Sequence, residues 1–191
     1  MRRLLTNAAS LALGVIVLAG LRWTTPGYAV LTGPLPSDGP AGVTVAARGF
    51  SVRIGDVELA KSLRYRAFGR TVERTSDGVF AVAHATVEAT AQSTSLGGIA
   101  WEDAGGIVFA HSRRVDGAGA LLLGKRLQPG LPQQGLFVFE LPRGALKSAR
   151  LLVSESAEPR LDSQARIRLP DDLPGRAVSE GLDLDESARA R

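Results

Sequence analysis

The segment at residues 135–142, GLFVFELP, constrains the fold more than any other stretch of the chain. It alternates Leu136, Val138 and Glu140 with Phe137, Phe139 and Leu141, so both faces are apolar until Glu140. A strand that is apolar on both faces is typical of the centre of a sheet that is covered on both sides. Pro142 ends this strand, because proline has no N–H to donate to a ladder.

Several other segments show the period-two alternation or the β-branched content of strands. They lie at residues 42–60, 79–92, 99–102, 107–112, 149–154 and 165–169. Turn signals separate them, notably at residues 75–78 and 103–106, and the Gly55-Asp56 pair marks a turn or bulge inside the first. Short strands with regularly spaced turns predict an all-β, immunoglobulin-like β-sandwich of roughly seven to nine strands.

The N-terminal segment from Leu4 to Trp23 is apolar, and its uncharged run lies between Arg3 and Arg22. Eighteen uncharged residues follow Arg3 and end at Leu21, which as a helix span about 27 Å at 1.5 Å per residue. This length is close to the roughly 30 Å of a bilayer core. The segment therefore predicts a single membrane anchor, with its N-terminus in the cytoplasm and the chain from Thr24 onward outside.

Two other interpretations of this segment stay open. A signal peptide would place its apolar region at residues 11–21 and be cleaved near Ala29, which would release the protein. A buried core helix is the third interpretation, and the charged pair before the apolar run argues against it.

The rest of the chain divides into three parts by composition. Residues 24–41 are rich in proline and glycine and predict an extended spacer. Residues 42–169 form the predicted sandwich. Residues 170–191 lack aromatics and a sustained period, and their acidic side chains predict a disordered tail.

Composition argues against two classes of function. The chain has a net charge of +4, and the three arginines that flank the apolar segment account for three of those charges. The predicted domain is therefore nearly neutral, without the basic face that nucleic acid binding needs. The absence of cysteine excludes disulfides, thiol catalysis and cysteine-based metal sites.

The sequence offers few candidates for chemistry. His84 lies on the same strand face as Phe80 and Val82, which predicts a hydrogen-bonded residue of the sheet, and nothing pairs His111 with a nucleophile. An enzyme would need Asp77, Glu88 or Glu102 to converge on one of these histidines. We therefore predict no catalytic, cofactor-binding or metal-binding residues. The stretch 62–70, together with Lys61, is basic and aromatic, which is typical of a loop or strand edge or, alternatively, of a binding edge.

The order of these features resembles a family of exported, immunoglobulin-like actinobacterial domains of unknown function that follow a single N-terminal membrane segment. The similarity covers about residues 34–169 and rests on turns and core strands: Gly42, residues 48–52 (RGFSV), 75–82 (TSDGVFAV), 127–130 (LQPG), 135–142 and 161–163. The resemblance implies a β-sandwich outside the cytoplasm and brings no catalytic residues with it.

These observations favour a non-enzymatic binding or assembly module of the cell envelope, which holds an envelope or membrane protein through strand edges or end loops. One alternative is an envelope or secreted enzyme that acts on cell-wall polymers. The other is a structural spacer whose tail makes the interactions.

Overall fold

The computed structural model describes residues 2–24 and 32–189, and in the first range it describes the side chains of residue 7 and of 11–24. The chain forms two compact units, Met1–Gly33 and Pro34–Arg191. The first contains helix α1 (Arg2–Thr24). No helix in the described part of the chain meets the length and apolarity that a membrane crossing requires. The predicted cleavage point near Ala29 lies outside the described residues.

The second unit is built from two five-stranded sheets. The first has the order β1 (Leu35–Pro40), β11 (Ser163–Arg168), β10 (Arg150–Ser154), β6 (Gly98–Glu102) and β7 (Val108–Ala110). The second has the order β12 (Ser179–Asp183), β3 (Phe50–Ala67), β4 (Arg70–Ala89) and β9 (Gln133–Leu141), and β2 (Thr44–Ala46) also pairs with β3. A small third sheet pairs β5 (Thr94–Ser95) with β8 (Arg126–Leu127).

Short helical turns connect these strands. Three are 3-10 turns, at Arg113–Val115, Arg143–Leu146 and Leu173–Gly175. The short helix α2 (Leu184–Ser187) follows β12 and is capped by the Asp183 side chain.

The main core lies between the two large sheets, so the molecule is a β-sandwich. Alternate residues of the first sheet, including Ile99, Trp101, Leu151 and Val153, share one buried cluster with alternate residues of the second. The Trp101 indole packs against Phe139 at 5.5 Å between ring centroids, and its N–H donates to the carbonyl of Ala145. The predicted all-β sandwich is confirmed, with twelve strands in the described residues rather than seven to nine.

A second core lies on the outer face of the second sheet. It contains Phe80, Val82, Leu136 and Val138, and chain segments that carry Val115, Ala118 and Leu184 cover it. This core explains why both faces of β9 are apolar. The strand was predicted to be central, but among the described residues its ladder runs only to β4, and its other edge forms an isolated bridge between Leu136 and Leu121. Its burial comes from covering segments rather than from a second neighbouring strand.

The predicted spacer at residues 24–41 is wrong for its C-terminal part. Residues 35–40 form β1, which pairs in parallel with β11. Because β1 is the edge strand of its sheet, Pro36 and Pro40 can lack an N–H without breaking a ladder on both sides. Composition alone therefore indicated a linker where the chain forms an edge strand.

The predicted disordered tail is also wrong, as far as residue 189. Residues 179–183 form β12, in parallel register with β3 from Ser179 opposite Ala60 to Asp183 opposite Arg64. Leu173 and Leu184 are fully buried in the main and second cores respectively. A few leucines and specific hydrogen bonds order this segment, although it has no periodic pattern.

Two turn signals inside the long strands correspond to irregularities of the β3–β4 ladder. The register shifts between Ile54 and Val57, where the Gly55-Asp56 break predicted a turn or bulge. It shifts again between Ala60 and Ser62, opposite the predicted turn at residues 75–78, which lies within β4 rather than ending a strand. The turn predicted at residues 103–106 is confirmed, since Asp103 Oδ1 accepts from the backbone N–H groups of Gly105 and Ile107.

Candidate functional site

The hairpin that joins β3 to β4 turns at Phe68 and Gly69, between the paired residues Ala67 and Arg70. Both turn residues have positive φ, 50° for Phe68 and 76° for Gly69. Two-residue hairpins with positive φ at both positions favour Asn-Gly, because a side chain with a bulky Cβ substituent crowds the backbone there. A left-handed conformation costs a residue such as phenylalanine roughly 1–2 kcal/mol.

Burial of the Phe68 side chain does not offset this backbone strain. It is 94% exposed, as much as any large apolar residue that the structure describes. The ring lies beside Gly117, where an added Cβ would be 3.3 Å from Cε2 of Phe68. Fully burying a phenylalanine side chain contributes about 1.5–3 kcal/mol, and in this chain alone that gain is not realised.

Two arginines flank this residue, and we call Arg66, Phe68 and Arg70 the hairpin tip. Arg66 pairs with Thr71 and Ala67 pairs with Arg70 across the hairpin. Paired residues share a face and successive residues alternate, so Arg66 and Arg70 lie on opposite faces of the arm. Within the described part of the chain, neither of the two guanidinium groups forms an ion pair. The tip therefore presents an aromatic ring between two arginines whose guanidinium groups form no ion pair among these residues.

The base of the arm holds the tip in a fixed position. The Tyr65 ring is buried in the second core, and its hydroxyl donates to the carbonyl of Arg114 at 2.9 Å. On the other side, the backbone N–H of Arg66 donates to Asp185 Oδ2 at 2.9 Å. Arg114 in turn forms an ion pair with Glu140 at 2.6 Å. The strained turn thus stands on an ordered arm, which is the arrangement expected of a preformed contact surface.

A second group of polar residues lies farther along the same sheet, at Glu58, His84 and Ser187. The His84 Nε2 and Glu58 Oε1 are 2.5 Å apart, and because a carboxylate only accepts, the imidazole donates. Ser187 Oγ donates to the same Glu58 oxygen at 2.8 Å and lies 3.1 Å from His84 Nε2. His84 and Ser187 are buried, whereas the Glu58 side chain is 31% exposed.

The geometry of this group does not fit a serine hydrolase. In a Ser-His-acid relay, the acid holds one ring nitrogen and the nucleophile contacts the other. Here Glu58 and Ser187 both meet Nε2, so the ring cannot pass a proton from one to the other through its two nitrogens. The group instead ties α2 to β3 and β4, which agrees with the expectation that His84 is a hydrogen-bonded residue of the sheet.

A pocket of about 150 Å³ opens beside His84, between Arg53, Asp56, Gln134 and Ala188. Arg176 Nη1 donates to Oδ1 of Asp56, one of the residues that line this pocket, at 2.5 Å. This hydrogen bond, with smaller contributions from Asp172, raises the pKa of Arg176 above its usual value. No cluster of histidine and carboxylate side chains among the described residues could hold a metal ion.

The structure does not bring together the residues that an enzyme would need. Glu88 accepts from the backbone N–H of Gly130, and Glu102 pairs with Arg150 at 3.7 Å. Asp77 lies by Lys61 and Gly78 in a separate surface depression, and none of these carboxylates bonds to a histidine among the described residues. His111 lies on the other sheet from His84. Sequence reasoning missed Glu58 and Ser187, which are separated from His84 by 26 and 103 positions.

The sequence matches no protein-family model and no curated protein. In fold it is similar to the yjhA protein from Bacillus subtilis, with a TM-score of 0.52 and 20% identity over 69% of this chain and 99% of that one. An uncharacterized β-sandwich protein from Clostridium difficile 630 gives a TM-score of 0.46 and 10% identity, over 75% of this chain and 99% of that one. At such identities, the likeness to the yjhA protein concerns the fold alone.

Proposed function

We propose that this chain is a non-enzymatic binding module that holds a protein partner through its hairpin tip. The observation that carries the proposal is the Phe68 side chain, 94% exposed at a φ of 50°. The residue adds strain and gains almost no burial within this chain. Aromatic residues and arginine are enriched where proteins bind each other and supply much of the binding free energy.

The chemistry of the tip specifies the partner surface. Phe68 needs an apolar pocket that excludes water from its ring. Arg66 and Arg70, on either side, call for carboxylates at the rim of that pocket, because guanidinium groups that form no ion pair among the described residues would otherwise lose solvation on docking without gaining a partner. The partner is therefore a folded protein with an apolar pocket and an acidic rim.

The setting of this module is part of the proposal. The arginine-flanked segment from Leu4 to Trp23 supports export, with the module either tethered outside the cytoplasm or released by cleavage near Ala29. The immunoglobulin-like affiliation is likewise proposed. It is supported by the spatial order of β11, β10, β6 and β7, which follows that of strands G, F, C and C′ in variable-type immunoglobulin domains.

Site-specific photocrosslinking tests the proposal in intact cells that express the full chain. A photoreactive phenylalanine analogue replaces Phe68, and in a control variant it replaces Leu161, which is also exposed and also has positive φ. We expect the probe at position 68 to capture one protein, and mass spectrometry to place the crosslink in an apolar pocket rimmed by Asp or Glu. Equal capture at both positions, or a crosslink to a basic or flat polar surface, would contradict the proposal.

A further inference from the structure

A second candidate site lies on the first sheet, away from the hairpin tip. Ala100 and Leu152 alternate with the core-facing residues of β6 and β10 and so lie on the outer face of that sheet. With apolar neighbours on β7 and the loop before β8, they line a pocket of about 350 Å³. Its apolar residues are Ile99, Ala100, Val108, Ala110, Leu123, Leu152 and Ala157, and its polar side chains are His111, Arg113, Ser154 and Gln164.

His111 distinguishes this pocket from an ordinary surface depression. The residue is 6% exposed, and its ring meets Phe139 edge-on at 5.9 Å. Neither ring nitrogen has a hydrogen-bond partner among the described residues. A neutral imidazole carries one donor and one acceptor, and leaving such a buried group unpaired costs about 1–3 kcal/mol. His84, by contrast, has two partners for its Nε2.

Burial keeps His111 neutral at physiological pH. Desolvation lowers its pKa to about 4, despite the smaller opposing effects of Asp116 and of the neighbouring Ser112 backbone. The imidazole therefore offers one donor and one acceptor rather than a charge. His111 is among the residues that line the pocket.

Arg113 supplies the charge that His111 lacks. It lines the same pocket, and its side chain is 92% exposed. Its ion pair with Asp116 is 3.8 Å long and on the surface, and such pairs contribute little. An anion at this end of the pocket would gain the Arg113 guanidinium without displacing a strong partner.

We propose that this pocket binds a small molecule with an apolar body and a carboxylate head group. The body lies against Leu123, Leu152 and Val108, and the head group meets Arg113 and a hydrogen bond from His111. Mainly apolar walls with a few convergent polar groups are the usual composition of small-molecule sites. The hairpin tip belongs to the other sheet. An experiment that disproves one of the two proposed sites therefore leaves the other untouched.

NMR titration of the full chain with sodium octanoate tests the site. We expect saturable shifts of the Leu123 and Leu152 methyl groups, together with a shift of the His111 ring nitrogens as they gain a partner. Acetate provides the head group without the body, and 1-octanol provides a similar body without the charge. Both are expected to bind at least tenfold more weakly than octanoate, which corresponds to about 1.4 kcal/mol.

Two variants assign the contacts. Arg113→Gln is expected to weaken octanoate binding about tenfold, whereas Arg160→Gln, at another exposed arginine in a surface ion pair, leaves it unchanged. His111→Phe keeps the ring and removes its hydrogen bonds, and it is expected to weaken binding by a similar factor. Equal affinity for octanol, equal effects of both arginine variants, or no saturable shift at Leu123 and Leu152 would overturn the proposal.

Discussion

Ser187 donates its hydroxyl hydrogen bond to the Glu58 carboxylate at 2.8 Å, across 129 positions of the sequence. The contact joins α2, the last described helix, to β3. It works together with the ion pair between Arg176 and Asp56 at 2.5 Å, which anchors the start of the same C-terminal segment. Residues 176–189 are therefore part of the folded domain, and Leu182, Leu184 and Ala188 cover its second core.

Replacing Ser187 with alanine tests the contribution of this contact. The hydroxyl is buried and bonds to a carboxylate that is 31% exposed, so we expect the free energy of unfolding to fall by about 1–2 kcal/mol. Urea denaturation measures this change. Ser93→Ala, at an exposed serine, provides the control and should change the value by less than about 0.5 kcal/mol. Equal effects of the two variants would mean that the Ser187 contact does not hold the segment.

Leu184→Ala tests whether the C-terminal segment is packed. Leu184 is fully buried in the second core, and truncating a buried leucine usually costs about 2–5 kcal/mol. We expect a loss in that range by urea denaturation, with Leu161→Ala, at an exposed leucine, as the control. A disordered tail would instead leave the stability unchanged and give no hydrogen-exchange protection at the backbone amides of β12.

The C-terminal segment shows what the sequence pattern could not reveal. Alternation in residues 135–142 predicted β9 because each strand carries its own apolar face. β12 has no such pattern, since its order depends on β3, whose paired residues lie about 120 positions earlier in the chain. β1 was missed for the opposite reason, because its prolines indicated a linker although an edge strand tolerates them.

Phe68→Asn separates folding from binding at the hairpin tip. Asparagine adopts positive φ more readily than phenylalanine, so we expect the variant to be more stable by about 1 kcal/mol. Thermal unfolding followed by circular dichroism measures this gain. The same variant should lose binding to the partner, because it lacks the aromatic ring. A variant that is less stable than the parent would show that Phe68 stabilises the fold and does not strain it.

The buried His111 predicts a pH dependence of stability. Its pKa is about 4 in the folded chain and close to 6.5 when unfolded, so between these values the unfolded chain binds more protons. The contribution of His111 to the free energy of unfolding is therefore fully present above pH 6.5. It falls by roughly 3 kcal/mol in total as the pH decreases toward 4. His111→Phe should remove this dependence in urea denaturation series between pH 4 and 7. A parallel decline in the variant would assign the effect to other groups.

The candidate sites were only partly predictable. The basic and aromatic stretch at residues 61–70 indicated a binding edge as one alternative, but the strain and exposure of Phe68 depend on the turn geometry. The sequence placed His84 on the correct face of its strand. Its partners Glu58 and Ser187 come from another strand and from the C-terminal helix. The periodicity of residues along the sequence does not indicate contacts between such distant positions.

The affinity of the hairpin tip for its partner tests the central claim most directly. Once crosslinking has identified that protein, isothermal titration calorimetry compares the parent chain with Phe68→Ala and with Leu161→Ala. Residues at the centre of an interface contribute about 2 kcal/mol or more, so Phe68→Ala is expected to raise the dissociation constant at least about 30-fold, whereas Leu161→Ala leaves it unchanged. A dissociation constant that does not change in Phe68→Ala would contradict the account.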